Sequence, residues 1–178
     1  MEEIFAEALQ ADDYDSLFHQ VMTAYGQDIL VLVYSYVKNK TVAEDLTQEI
    51  FVKCYQSIRT FHHQSKMKTW LWRIAINHCK DHLKSWHTRN VETVDTDTIH
   101  SPVSVENVEG QVIKKDEQSG LMEAVLQLSV PYREIIYLRY YEDLPLKEIE
   151  QITGIKMNTV KTRLRRAKDL LKKQLEER

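Results

Sequence analysis

The sequence has few of the residues that build tight turns, with four glycines and three prolines among 178 residues. Folds made of many short β-strands need a turn roughly every 8–12 residues, usually built with glycine, proline or asparagine. The composition is otherwise that of a globular protein, with 43% hydrophobic and 29% charged residues. We therefore predict an all-α fold.

Cysteines and long hydrophobic runs are also scarce. The two cysteines, Cys54 and Cys79, are too few to indicate a disulfide framework. The longest apolar run, ILVLVYSYV at 29–37, is far shorter than the ~20 residues needed to span a bilayer. The first residues, MEEIFAEALQ, lack the basic start of a secretory signal. We expect a cytoplasmic protein that does not insert directly into a membrane.

Charge is distributed unevenly along a chain whose formal net charge is −3. Residues 91–118 contain two basic and seven acidic residues, whereas residues 156–173 contain eight basic residues and one acid. An acidic stretch with turn signals and little apolar periodicity is typical of a linker. The pattern predicts two small helical domains, 1–90 and 119–178, joined by a flexible acidic linker over 91–118 whose end could form a short helix.

The C-terminal residues have the spacing of a helix-turn-helix. Four helical segments fit 119–175, and Pro131 and Pro145 suit the starts of two of them. Gly154 can adopt positive φ at a sharp turn, and Val160 would pack the next helix onto the preceding one. The second helix of such a unit enters the DNA major groove. The basic cluster is therefore predicted to bind DNA; the simpler alternative is a solvated surface helix.

The N-terminal residues predict further helices. An apolar stripe runs through 14–25, and QDILVLVYSYVKN at 27–39 fits either a buried strand or a helix, with its helical neighbours favouring a helix. In TVAEDLTQEIFVKCYQSI, Thr41 and Glu44 fit a capping box. The apolar positions of that helix predict a buried face at Val42, Leu46, Ile50, Cys54 and Ile58.

Two groups of polar residues in this half allow more than one interpretation. Residues 44, 45, 48 and 49 form a polar patch at helical spacing, for which composition alone favours a solvated face. The helix TWLWRIAINHCKDHLKSWH interleaves aromatic and basic residues, which suits either a core or single-stranded DNA. His78 and His82 are spaced as zinc ligands can be, near Cys79 and His87, but no second ligand pair converges on them. We predict no metal site, no cofactor and no enzymatic activity.

Both halves, in this order, resemble the extracytoplasmic-function sigma factors of bacterial RNA polymerase, within the sigma-70 family. AEDLTQEIFVKCYQSI is similar to the polymerase-docking helix of the family's region two, and KMKTWLWRIAINHCKDHL to the segment after it. LSVPYREIIYLRYYEDLPLKEIEQITGIKMNTVKTRLRRAKDLLKKQL is similar to region four. The resemblance implies a factor that binds core polymerase, directs it to promoters and helps to melt them. The alternative is a stand-alone helix-turn-helix regulator with a sensing or dimerisation domain.

The resemblance also implies partners and site residues. Core polymerase would be contacted at the clamp of its largest subunit and the flap of its second largest, and promoter DNA and an anti-sigma factor are the other expected partners. The polymerase-binding residues would be Glu44, Asp45, Gln48 and Glu49. The residues at the minus-ten element would be Phe61, His62, His63, Lys66, Lys68, Asn77 and Lys80, with Trp70 supporting their loop. The residues at the minus-thirty-five element would be Asn158, Thr159, Lys161, Thr162, Arg165 and Arg166.

Three residues depart from the family pattern. Glu150 stands where alanine is usual, which predicts either a tilted first helix or a pairing of Glu150 with a base. Pro145 replaces the usual N-cap serine, and Asn158 replaces a common glycine at the start of the recognition helix. These departures concern the upstream base preference and leave the predicted fold unchanged.

Overall fold

The structure, a computed structural model, describes residues 13–61, 65–91 and 116–176. These residues form helices and contain no strand, which confirms the all-α prediction. The helices are α1 (Tyr14–Val37), α2 (Lys40–Ser57), α3 (Met67–Val91), α4 (Asp116–Gln127), α5 (Val130–Ile136), α6 (Leu146–Thr153) and α7 (Met157–Glu176). A 3₁₀ turn (Ile58–Thr60) follows α2, and a π-helical segment (Tyr137–Tyr141) continues α5. None of these helices has the length and hydrophobicity needed to cross a bilayer.

The first two predicted helical stretches form one helix. Helix α1 starts after Asp13, whose carboxylate accepts a hydrogen bond from the Ser16 amide at 3.1 Å, and continues through Gly26. The ambiguous run at 27–39 is helical up to Val37, and Ile29 and Leu32 within it are fully buried. Helical neighbours and burial on one side thus outweigh the strand preference of its β-branched residues.

The predicted capping box of α2 is wrong. The helix begins at Lys40, and the Asn39 side chain caps it by accepting a hydrogen bond from the Val42 amide at 3.0 Å. Thr41 and Glu44 therefore lie inside the helix, where neither is at the capping position. The residues of the predicted face are buried except Val42, which is partly exposed.

Helices α1, α2 and α3 enclose a core centred on Trp72. Its ring is fully buried and meets the Tyr25 ring edge-on, with 5.4 Å between centroids. Cys54 and Cys79 are free thiols in this core, and burial raises the pKa of each to about 12. A buried thiol that stays protonated is a packing residue, because reactivity requires the thiolate.

The C-terminal helices form the predicted helix-turn-helix. Pro131 lies in the first turn of α5, and Pro145 is the N-cap of α6. Gly154 ends α6 with φ of +70°, a conformation that glycine adopts without strain. Val160 is completely buried and joins α7 to the core beneath α6.

The two units pack directly against each other. Helix α3 contacts α6, and α1 contacts α5. Leu138, Leu144 and Ile149 of the C-terminal unit belong to the same continuous hydrophobic cluster as Leu71 and Trp72 of the N-terminal unit. Most of the predicted linker, residues 92–115, lies outside the described residues. Helix α4 begins at Asp116, within the last residues of the predicted linker, where a short helix was allowed for. The boundary at residue 118 stays a prediction.

Candidate functional site

The polar patch on α2 is presented to solvent. Each of its four residues is exposed: Glu44, Asp45, Gln48 and Glu49. Leu46 and Ile50 are buried on the opposite side of the same helix and fix its orientation. The patch continues along α2 into a shallow groove that Val52, Lys53 and Gln56 also line. The surface therefore offers several carboxylate and amide acceptors close together.

His78 of α3 orders one end of this patch. Its Nδ1 lies 2.7 Å from the Lys53 ammonium and its Nε2 lies 2.8 Å from the Glu49 carboxylate. Because an ammonium can only donate, Nδ1 accepts and Nε2 carries the proton that it donates to Glu49. The sequence could not indicate this role, since Glu49 is 29 residues away along the chain.

The histidine and cysteine cluster is not arranged as a metal site. His78 uses both ring nitrogens on Glu49 and Lys53, while Cys79 points into the core with no exposure. Across residues 13–61, 65–91 and 116–176, no group of three potential ligands converges on one point. Within the described residues, His78 and His82 are therefore not joined by further side chains in a metal-binding arrangement.

The uncharged side chains predicted for the minus-ten element do not share one environment. Asn77 is exposed on α3. Phe61 is buried and packs on Trp70, with 5.4 Å between ring centroids, so in this conformation it does not face solvent. His62 and His63 lie outside the described residues.

The three lysines predicted for the same element contact the C-terminal unit. Each ammonium forms an ion pair with a glutamate there: Lys66 with Glu148 at 2.6 Å, Lys68 with Glu142 at 2.8 Å, and Lys80 with Glu134 at 2.9 Å. Lys68 also lies over the Trp72 ring, 5.1 Å from its centroid. No motif or spacing in the sequence marks these glutamates as functional residues.

Buried polar groups surround these ion pairs. The Tyr137 hydroxyl donates toward the Glu142 carboxylate at 2.6 Å and the Asp28 carbonyl oxygen at 3.1 Å. Burial, with the Glu142 charge, raises the pKa of Tyr137 well above its usual value. Arg133 is buried and donates to the carbonyl oxygens of Leu126 and Tyr36. Burial lowers the pKa of Arg133 to about 10, so it stays charged at neutral pH.

The basic cluster of α7 has one buried and one accessible side. Val160 and Ala167 are fully buried against the rest of the unit. The residues predicted for the minus-thirty-five element are all exposed: Asn158, Thr159, Lys161, Thr162, Arg165 and Arg166. The helix therefore presents its cations and hydrogen-bonding groups outward from its N-terminal turns, as a recognition helix requires.

Glu150 has a role that its departure from the family pattern did not predict. Its Oε1 accepts a hydrogen bond from the Met157 amide at 2.8 Å, across the turn of the helix-turn-helix. Met157 is the first residue of α7, so its amide has no partner within the helix. A carboxylate there satisfies this donor and interacts favourably with the helix dipole.

The Glu150→Ala variant should lose this cap. By analogy with other capping side chains, we expect about 1 kcal/mol of stability to be lost, measured as a lower urea midpoint. Gln151→Ala, at an exposed position next to it, is the matched control and should stay within about 0.5 kcal/mol of the original chain. Equal midpoints for the two variants would show that the Glu150 hydrogen bond does not stabilise the turn.

Two parts of the chain match described families. Residues 21–89 match "Sigma-70 region 2" and residues 119–171 match "Sigma-70, region 4". Together these ranges cover more than half of the chain and correspond to α1–α3 and α4–α7. The presence of region two before region four disfavours the alternative of a stand-alone helix-turn-helix regulator, because such a regulator would not contain region two.

Curated relatives and solved structures agree with this assignment. The chain is 33% identical over 165 residues to the ECF RNA polymerase sigma factor SigW of Bacillus subtilis, covering 89% of this chain and 88% of SigW. It is 36% identical over 159 residues to sigma factor SigV of the same organism, covering 86% and 88%.

Two solved structures share the fold at low sequence identity. The sigma factor RpoE of Bartonella quintana, in complex with the anti-sigma factor NepR, matches with a TM-score of 0.70 at 22% identity, covering 89% of this chain and 96% of that one. CnrH, in complex with the cytosolic domain of CnrY, matches with a TM-score of 0.68 at 19% identity, covering 99% and 97%. With region two and region four in order along its length, and with ECF relatives over nearly all of it, the chain belongs to the sigma-70 family and is an RNA polymerase sigma factor of the extracytoplasmic-function type.

Proposed function

We propose that this sigma factor docks on core polymerase through the exposed polar face of α2. The observation that carries the proposal is the exposure of all four polar patch residues on a helix whose other side is held in the core. Their carboxylates and amide can accept hydrogen bonds from basic groups on the clamp of the largest subunit. The hydrogen bond from His78 restricts the conformations of the Glu49 side chain before docking. Because this side chain is already partly ordered, less conformational entropy is lost when polymerase binds.

The exposed face of α7 binds the minus-thirty-five element. Lys161 and Arg165, in the first turns, reach base edges, and Lys168 and Lys172, further along, meet phosphates. The Glu150 cap keeps the first turn of α7 formed, so that these residues stay in position. Region four also contacts the flap of the second largest subunit, which sets its distance from region two on the promoter.

The loop 60–68 and α3 bind the minus-ten element after it opens. Asn77 hydrogen-bonds a base that has left the stack, which offsets part of the unstacking cost of roughly a few kcal/mol. Lys66, Lys68 and Lys80 bind the phosphates of the non-template strand, and the packing of Phe61 on Trp70 supports the loop. The protein needs neither catalytic residues nor a cofactor for this work, because the polymerase makes the RNA.

Each part of the chain has its own role, and a further protein partner is expected. Residues 1–90 act at the clamp and the minus-ten element, 91–118 connect the two units, and 119–178 act upstream. The protein works in the cytoplasm, where bacterial polymerase transcribes. The solved complexes of RpoE with NepR and of CnrH with CnrY support an anti-sigma factor as a further partner for this chain.

The Asn77→Ala variant tests the minus-ten role. Within the holoenzyme, we expect slower open-complex formation at an active promoter, with upstream binding unchanged, because only base capture is removed. Permanganate footprinting of the melted thymines measures opening, and DNase footprinting measures upstream binding. Thr88→Ala, at an exposed position further along α3, is the matched control. A normal permanganate pattern for Asn77→Ala would remove this residue from the site.

A further inference from the structure

A small cavity lies where the start of α1 meets the end of α2 and the 3₁₀ turn after it. Its volume is about 280 Å³, and it is lined by Tyr14, Tyr55, Gln56, Ile58 and Arg59. We propose that this cavity binds one nucleobase of the opened non-template strand, in addition to the base held at Asn77. This inference rests on the minus-ten role proposed above and adds a second point of contact on the same strand.

The Tyr55 side of the cavity is held in a fixed position. The Tyr55 hydroxyl donates a hydrogen bond to the Asp15 carboxylate at 2.9 Å, and the Phe18 ring meets the Tyr55 ring edge-on, with 5.1 Å between centroids. Tyr55 nevertheless keeps 48% of its surface exposed. A ring that is both fixed and exposed is suited to stacking, because little conformational freedom is lost when a base packs on it.

Arg59 adds a cation to the cavity. Its guanidinium lies over the Tyr14 ring, 5.4 Å from the centroid, and the residue is exposed to solvent. A guanidinium can stack its plane on a base, and its N–H groups can bind a phosphate. Aromatic rings with a neighbouring cation are the combination by which proteins bind single-stranded nucleic acid.

The remaining residues suit a planar group with polar edges. Ile58 has only 1% exposure and gives the cavity an apolar base, whereas Gln56 is exposed at its rim. The Gln56 amide can both donate to and accept from the edge of a base. Pockets for small molecules usually have volumes of about 300–1,000 Å³. A cavity just below this range favours a single base over a larger cofactor.

The position of the cavity places it beside the proposed path of the strand. Ile58 and Arg59 belong to the turn that leads into the segment proposed for the minus-ten element, and the Phe61 amide donates to the Ile58 carbonyl oxygen at 3.1 Å. Gln56 also lines the groove next to the polar patch on α2. The cavity therefore lies between the surface proposed to dock on polymerase and the segment proposed to bind the strand.

Abasic substitution along the non-template strand tests the proposal in the holoenzyme. A fork-junction DNA from an active promoter, single-stranded through the minus-ten element, carries an abasic nucleotide at one position at a time. Affinity for the original chain should fall at the position held by Asn77 and at a second position. The Tyr55→Leu variant should bind the intact DNA roughly 5- to 150-fold more weakly, as expected for the loss of one stacked base. It should no longer respond to the abasic nucleotide at the second position.

Two matched variants separate stacking from a change in the fold. Tyr55→Phe keeps the ring and removes only the hydroxyl, so it should retain the response at the second position. Trp86→Leu removes an exposed aromatic ring near the end of α3 and should bind like the original chain. If Tyr55→Leu binds the intact DNA as well as Trp86→Leu does, or still responds at the second position, the proposal is overturned.

Arg59→Gln covers the case in which Tyr55→Leu does not fold. Arg59 is exposed, so this variant should keep its thermal melt, since such substitutions rarely change stability much. It should weaken the response to the abasic nucleotide at the second position and leave the response at the Asn77 position intact. An unchanged response at the second position would overturn the proposal.

The Asn77→Ala variant distinguishes failure of this inference from failure of the proposed minus-ten role. It should lose the response at the first position and keep the response at the second. If the original chain responds only at the position that depends on Asn77, the minus-ten role stands and this inference fails. If no abasic position changes the affinity of the original chain, the minus-ten role fails, and this inference fails with it.

A protein partner is the other occupant that an aromatic cavity could accept, and binding to core polymerase without DNA identifies it. Tyr55→Leu and Arg59→Gln should bind core polymerase as the original chain does, because the proposed docking residues Asp45, Gln48 and Glu49 are unchanged. Pull-down with core polymerase alone measures this. Weaker binding of either variant would assign the cavity to the interface with polymerase and overturn the proposal.

Discussion

The triple variant Asp45→Ala, Gln48→Ala and Glu49→Ala should stay folded and lose its binding to core polymerase. All three side chains are exposed on α2, and such substitutions usually change stability by less than about 0.5 kcal/mol each. Removing one partner of a charged pair that is buried in a complex costs about 2–5 kcal/mol. A cost of this size makes the affinity tens to thousands of times lower. Pull-down with core polymerase and run-off transcription measure the loss, and thermal melting checks the fold.

Three exposed polar residues of α1 provide a matched control for this variant. The substitutions His19→Ala, Thr23→Ala and Gln27→Ala remove a similar amount of polar surface at a distance from the patch along the chain. This control should bind polymerase and support transcription at the original level. A patch variant that melts normally and still initiates at the original rate would show that the patch is a solvated face.

Substitutions on α7 should separate base recognition from phosphate binding. Arg165→Ala or Lys161→Ala should each cost about 1–3 kcal/mol on the correct promoter and less on random DNA, because interactions with base edges discriminate between sequences. Lys168→Ala or Lys172→Ala should weaken binding to all sequences alike. Removing one lysine–phosphate interaction should lower the slope of log K against log salt by about 0.9. Titrations of holoenzyme on both DNAs at several salt concentrations measure both effects.

Lys168 and Lys172, the two lysines expected to bind phosphates, have different surroundings in the structure. The Lys168 ammonium lies 5.4 Å from the centroid of the Tyr140 ring, whereas Lys172 pairs with Glu176 at 3.7 Å on the surface. Both interactions are weak enough for phosphate to replace them. Equal losses of affinity on promoter and random DNA for Arg165→Ala would place that side chain on phosphate and not on a base.

The helices and their buried faces follow largely from the order of residues along the chain. The apolar spacing predicted the buried side of α2 at Leu46 and Ile50, and the turn residue Gly154 predicted a left-handed end for α6. The same spacing predicted the exposed cations of α7. These features depend on a residue's position within its own helix or turn, which the order of residues specifies directly.

Local capping was predictable only in part. The sequence indicated a start for α2 near residue 41, but the cap is Asn39, because several polar residues near a helix start can each accept its first amides. Glu150 caps α7 from seven residues away, across a turn. Whether its carboxylate reaches the Met157 amide depends on the angle between α6 and α7.

The pairing of charged groups depends on how the helices pack in three dimensions. Lys80 and Glu134 are 54 residues apart in sequence, and Lys66 and Glu148 are 82 apart. From the sequence alone, each was one of many charges on a helix surface, with nothing to select its partner. The packing of α6 on α3 and of α5 on α1 brings region four against the lysines proposed for the minus-ten element. Ion pairing depends on distance and burial, and these are set by how helices from the two halves of the chain pack, which periodicity within one helix does not specify.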